Sequence, residues 1–298
     1  MPEQQERHRG VRGPQRWRRG YGGIRGWLPS SAGLGLAAAI TLAGCGGGTT
    51  HPAASPRVTK PSAAPTPAAA ATPAPTRAPV GAVDWGCLSR RERREMFVLH
   101  GPGHDRLAAL SIGTGRVAVI LAHQSSGSLC QWWPYARSLA TRFRVVAFDF
   151  DGAGASPNGD SNYPGEVATA AAWARDHGSR KIVLMGASMG GTAVMVAAAH
   201  LGGSIAGVID LSGPADFAGM NALGAARRVH VPALFAYGTL DYGFATDVRH
   251  VRAATATRDK PVLAVKTPNH GVDLVSPEIG YATVRVAVLH FIQKITRA

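Results

Sequence analysis

Three short stretches of the chain carry residue types that could do acyl-transfer chemistry. The first is Gly186-Ala187-Ser188-Met189-Gly190-Gly191, between the apolar run 181–185 and an alanine-rich segment. G-x-S-x-G set between a strand and a helix is a tight turn that projects the serine hydroxyl out of the sheet. The flanking glycines remove Cβ atoms that would collide with neighbouring elements. The N-terminus of the following helix favours developing negative charge. The second stretch, Gly238-Thr239-Leu240-Asp241, follows the run 232–237. The third, Thr267-Pro268-Asn269-His270-Gly271, follows the run 261–266. Ser188 precedes Asp241 by 53 residues, and Asp241 precedes His270 by 29. Each interval has room for a crossover helix and a strand. A serine hydroxyl is a weak nucleophile without a base. His270 would take its proton, and Asp241 would fix the imidazole tautomer and stabilise its cation. Asp210 and Asp216, around the end of the strand before Asp241, are rivals for the acid.

Positioning these residues requires strand ends. Expected strands lie at 95–99, 106–112, 116–122, 144–148, 181–185, 205–211, 232–237 and 261–266. Most are near-continuous apolar runs, as suits strands buried on both faces. Expected helices lie at 130–141, 163–177, 189–201, 215–228, 245–256 and 276–295. This alternation argues an α/β fold with a mostly parallel eight-stranded sheet and helices on both faces. The first two strands are joined too closely for a parallel crossover and are expected as an antiparallel hairpin. In such sheets the working residues gather at the carboxyl ends of the strands.

With these motifs in that order, residues from about 95 to 298 resemble the α/β-hydrolase superfamily. Two further segments carry the likeness. Leu121-Ala122-His123-Gln124-Ser125-Ser126-Gly127 resembles the family's His-Gly loop, with Gln124 where Gly is usual. The resemblance assigns the oxyanion donors to the backbone N–H groups of Ser125 and Met189, and makes His123 a scaffold residue. Asp149-Phe150-Asp151-Gly152-Ala153-Gly154-Ala155-Ser156 resembles the D-x-R-G-x-G-x-S turn, with Asp151 in place of Arg. That turn reads as structural. Gln124, Trp132 and Trp133 are candidate substrate-pocket residues beside the oxyanion loop. About 20 residues separate the strands ending at 211 and beginning at 232, enough for one helix and too few for the multi-helix cap of many members. The expected enzyme is therefore compact and uncapped, dienelactone-hydrolase-like or esterase-like. Its open site favours bulky, polymeric or varied esters.

The remaining sequence reads as address and tether. Residues 1–80 hold 10 of the 32 Lys and Arg but 2 of the 18 Asp and Glu. The net charge of +14 is thus concentrated at the N-terminus. Seven arginines precede a short apolar run that ends Leu42-Ala43-Gly44-Cys45, a secretory-signal pattern. The ending resembles a bacterial lipobox, which makes 1–44 a signal peptide and Cys45 the lipidated first residue of the mature chain. Arg18-Arg19 leaves twin-arginine export open. Residues 45–80, rich in Pro, Ala and Thr, cannot bury a core and read as a tether. The catalytic domain is 81–298. Cys87 and Cys130 remain as a possible disulfide in an oxidising compartment.

No metal-ligand spacing and no cofactor motif appears, and no nucleic-acid partner is implied. The expectation is a lipid-anchored, extracytoplasmic serine hydrolase of carboxylic esters acting on a small-molecule or polymeric substrate. A peptidase, thioesterase or polyester hydrolase would use the same three residues. A catalytically silent envelope-binding protein on this fold is the alternative from another class.

Overall fold

The computed structural model describes residues 86–297 apart from His104. The expected signal peptide, the expected lipidation site Cys45 and the expected tether lie outside the described residues. Among the described residues ten strands are present: β1 (Phe97–His100), β2 (Arg106–Ile112), β3 (Val117–Ala122), β4 (Arg144–Phe148), β5 (Lys181–Ala187), β6 (Gly207–Leu211), β7 (Asp216–Phe217), β8 (Met220–Asn221), β9 (Ala233–Gly238) and β10 (Val262–Val265). Seven helices accompany them: α1 (Arg90–Glu95), α2 (Trp133–Leu139), α3 (Tyr163–Asp176), α4 (Met189–Leu201), α5 (Ala222–Ala226), α6 (Phe244–Ala254) and α7 (Ala282–Thr296). Eight strands form one sheet in the order β1-β2-β4-β3-β5-β6-β9-β10. β2 is antiparallel to both β1 and β4, and every other pairing is parallel.

Strand alternation divides the core into two layers. In β3, Ala118, Ile120 and Ala122 face the layer covered by α3, α4, α5 and α6. Val119 and Leu121 face the layer under α2 and α7. All five are fully buried, which is why the strand reads as an unbroken apolar run. Among the described residues no helix is long and apolar enough to cross a membrane.

Three expected helices differ from the observed ones. The first half of 215–228 is the β7–β8 hairpin, followed by the short α5. Its turn places Ala218 (φ 47°) and Gly219 (φ 81°) in the left-handed region, as a tight two-residue hairpin requires. Asn221 then caps α5 through its side chain. Alanine content hid the hairpin. The segment 130–141 divides into a 3-10 turn at Leu129–Gln131, capped by Ser128, and α2, where proline opens the first turn. The last helix begins at Ala282, because Ser276 and Gly280 close a separate turn ahead of it. Between β6 and β9 stand only the hairpin and α5, so this interval holds no multi-helix cap.

Candidate active site

β5 runs straight into α4 through Ser188, whose φ of 51° and ψ of −120° lie outside the region a non-glycine residue prefers. The strain is enforced by packing. A Cβ at Gly186 would strike the Gly190 carbonyl, and one at Gly190 would strike the Ala122 carbonyl. Only glycine lets β3, β5 and α4 approach this closely. The Ser188 N–H donates to the Leu211 carbonyl at 2.9 Å, and its hydroxyl does not turn back to cap α4. Met189 heads α4, where first-turn N–H groups have no intrahelical acceptor.

Asp241 lies beyond β9 and accepts a hydrogen bond from His270 Nδ1 through Oδ2, at 2.7 Å. Asp241 is buried and its carbonyl starts α6 by accepting from Ala245 N. The Phe244 ring packs on the imidazole, with centroids 4.2 Å apart. Gly271, at φ 54°, brings this loop to the elbow. A Cβ there would lie 3.2 Å from the Ala187 Cβ and strike Gln124 Oε1. Among the described residues no hydrogen bond joins the Ser188 hydroxyl to His270, a contact that often tightens only when substrate binds.

The rival acids are elsewhere. Asp210 is buried at the end of β6, where its Oδ1 accepts from Gly213 N at 2.8 Å. Burial pushes its carboxyl up to about 7, against the lowering effect of that N–H donor. Asp216 is exposed on β7. The structure brings Asp241, and neither of these, to His270.

Ser125 and Met189 line one cavity of about 480 Å³, together with Phe150, Tyr163 and Phe217. The loop carrying Ser125 is fixed from beneath. His123 is fully buried, and its Nε2 accepts the Phe150 N–H at 2.9 Å. The proton is therefore on Nδ1, which donates to the Gln124 carbonyl at 2.6 Å. Burial drives the imidazole pKa down to about 4. His123 is a neutral strut, as the resemblance implies.

Two pocket expectations are corrected. Trp132 and Trp133 are fully buried in the layer under α2 and do not line the cavity. The Trp133 indole N–H donates to Glu92 Oε1, outside the site. Gln124 is also not a lining residue. Its Oε1 accepts from Val272 N at 2.9 Å, and its own N–H donates to Gln131 Oε1 at 3.1 Å. Sequence reasoning missed Phe150, Tyr163 and Phe217. Phe150 follows the carboxyl end of β4, so the strand-end rule could have found it. Phe217 was hidden by the misread helix.

Asp149 ties its turn together from within, while residues 150–154 of that turn also line the cavity. Its carboxylate accepts from Leu129 N and Ala155 N at 2.7 and 2.8 Å, and Ser156 Oγ donates to its carbonyl. Asp151, where the resemblance has Arg, donates through its N–H to Glu166 Oε2 and accepts from Ser161 N. Burial, with Asp151, Asp105 and Asp160 nearby, pushes the Glu166 carboxyl up to about 8. Cys87 and Cys130 are joined by a disulfide. Among the described residues no group of three or more His, Cys, Asp or Glu could hold a metal ion.

A family model of the alpha/beta hydrolase fold matches residues 117–249, from β3 through the elbow and Asp241 into α6. The fold is the α/β-hydrolase fold. Solved structures match over about two thirds of the chain. A monoacylglycerol lipase from Paleococcus ferrophilus shares 19% identity at a TM-score of 0.56, covering 64% of this chain and 99% of its own. An esterase from Pyrococcus furiosus shares 17% at 0.57, covering 68% and 91%. An esterase from a Rhodococcus species shares 16% at 0.58, covering 67% and 99%. At these identities the α/β-hydrolase likeness is one of fold. No curated protein matches the chain by sequence.

Proposed function

We propose that this protein is a serine hydrolase of carboxylic esters that works through an acyl-enzyme on Ser188. The observation that carries the reading is the 2.7 Å Asp241–His270 hydrogen bond on a loop packed against the strained Ser188 elbow. With Nδ1–H held by Asp241, His270 Nε2 is the free lone pair. It takes the Ser188 Oγ proton as the oxygen attacks the ester carbonyl carbon. The negative charge moves to the carbonyl oxygen, where the N–H groups of Ser125 and Met189 receive it. Each such donor is worth about 2.7–4 kcal/mol in the transition state. Collapse of the adduct breaks the ester C–O bond, and His270 returns the proton to the departing alcohol. Water, deprotonated by His270, then attacks the acyl carbon and restores Ser188.

The ester preference draws support from the lack of a multi-helix cap between β6 and β9 and from the lipase and esterases among the similar structures. The partly aromatic cavity of about 480 Å³ suits an apolar acyl or alcohol group. The Leu-Ala-Gly-Cys pattern supports a position on the extracytoplasmic face of a bacterial membrane, anchored through a lipidated Cys45. The substrate is then a small-molecule or polymeric ester met outside the cell. Matched ester, thioester and amide substrates test the assignment, with Ser188→Ala as the blank. Turnover of esters above the other two classes is expected. Equal, Ser188-independent rates throughout would reject it, and amide preference would make the protein a peptidase.

A further inference from the structure

The hydrolase reading accounts for Ser188, Asp241 and His270, but leaves Gln124 unexplained. The resemblance to the His-Gly loop would put glycine at this point, and glycine has no side chain to contribute. Here three of the residue's hydrogen-bonding groups are engaged. The carbonyl accepts from His123 Nδ1 at 2.6 Å. The backbone N–H donates to Gln131 Oε1 at 3.1 Å. The side-chain Oε1 reaches a segment 148 residues later and accepts from Val272 N at 2.9 Å.

These bonds have separate geometric consequences. In a trans peptide the carbonyl of one residue and the N–H of the next point opposite ways. Holding the Gln124 carbonyl against His123 therefore fixes the peptide plane that carries the Ser125 N–H, and Ser125 lines the cavity. Val272 lies in the 3-10 turn that begins directly after His270. Fixing its N–H fixes where that turn starts. Gly271 fits between them only because it lacks a Cβ, which would strike Gln124 Oε1. Gln131 completes the chain from the other end. Its amide packs against Gly127, where a Cβ would strike it, and it follows Cys130, which the disulfide holds to Cys87.

We infer that Gln124 is a positioning residue that locks the oxyanion loop to the loop bearing His270, so that acceptor and base are set as one unit. The inference rests on the serine-hydrolase reading. It extends that reading to a residue that touches neither Ser188 nor the cavity. Its physical basis is that misplacement by about 1 Å of a catalytic group can cost a factor near 100, and two groups here share one tether.

The test uses the full-length protein with Gln124→Met, which keeps the length and removes the amide, and Gln124→Glu, which keeps an acceptor for Val272 N. Three quantities are measured: kcat and KM on a p-nitrophenyl ester, the second-order rate of Ser188 labelling by a fluorophosphonate, and the melting temperature. Gln124→Met is expected to lower kcat and the labelling rate together by roughly 10–100-fold, with KM little changed. Gln124→Glu is expected to recover most of the labelling rate. It should also move the acid limb of the kcat/KM profile to higher pH, because a carboxylate beside the His270 loop favours the imidazolium. A residue with a merely structural role would move the melting temperature and neither rate nor profile. Folded Gln124→Met with wild-type kcat and labelling rate would overturn the inference. Should Gln124→Met not fold, an unshifted acid limb in Gln124→Glu overturns it equally. If wild-type Ser188 is itself unlabelled, the hydrolase reading fails first, and that outcome is distinct from both.

Discussion

Replacing Asp241 by Asn isolates what the acid contributes. The side chain keeps its size and its buried place at the start of α6. What changes is the 2.7 Å bond to His270 Nδ1. A hydrogen bond to a charged group is worth roughly 1.5–3 kcal/mol. Loss of imidazolium stabilisation alone therefore predicts a rate reduction of roughly 10–150-fold. If the Asn amide presents Nδ2 to Nδ1, the imidazole must carry its proton on Nε2 and no longer offers a base to Ser188. That tautomer reversal takes the expected loss towards about 10⁴-fold, or about 5.5 kcal/mol. The assay is kcat/KM on a p-nitrophenyl ester, referred to active sites counted by a stoichiometric burst. Asp210→Asn is the control, since Asp210 is also buried but bonded to Gly213 N. It should stay within a few-fold of wild type. An Asp241→Asn enzyme within threefold of wild type would refute the reasoning. So would Asp210→Asn losing as much as Asp241→Asn.

Three other outcomes follow from the same structure. The Cys87–Cys130 disulfide spans 43 residues, and in the chain-entropy account a loop of that length contributes about 4 kcal/mol; Cys87→Ser/Cys130→Ser should lose about that much in urea unfolding. Glu166 is held at about 8, far above a free carboxyl, so its contribution to stability is present below about pH 4.5 and is lost as pH rises towards 8. Glu166→Gln should accordingly flatten the fall in melting temperature between pH 5 and 8, and an unchanged slope would count against the burial argument. Cys45→Ser should abolish incorporation of labelled fatty acid, whereas persistent labelling would contradict the lipobox reading.

Much of the site was legible because its chemistry depends on local strings at strand ends. The elbow shows in sequence as glycines around Ser188, since only glycine fits where Gly186 and Gly190 meet carbonyl oxygens. Asp241 follows the fully buried strand β9, and His270 follows the short apolar run of β10, an edge strand that stays partly exposed. The cavity was not legible. Phe217 reaches it from a hairpin whose turn is Ala218-Gly219, and alanine there reads as helix. Trp132 and Trp133 misled in the opposite direction. Their place beside the oxyanion loop suggested a pocket, but a helix has two sides and both rings turn into the core. Gln124 read as a pocket residue, and its bond to Val272 was not legible, because that partner is set by tertiary packing rather than by any local pattern.

The central claim is that Ser188 is a nucleophile activated by His270. Intact-mass analysis of the full-length protein after treatment with a fluorophosphonate tests it most directly, with peptide mapping to locate the adduct. The account predicts one adduct per chain, on Ser188, abolished in Ser188→Ala and strongly slowed in His270→Ala. No adduct on the folded wild-type protein, or an adduct on another residue, would contradict it.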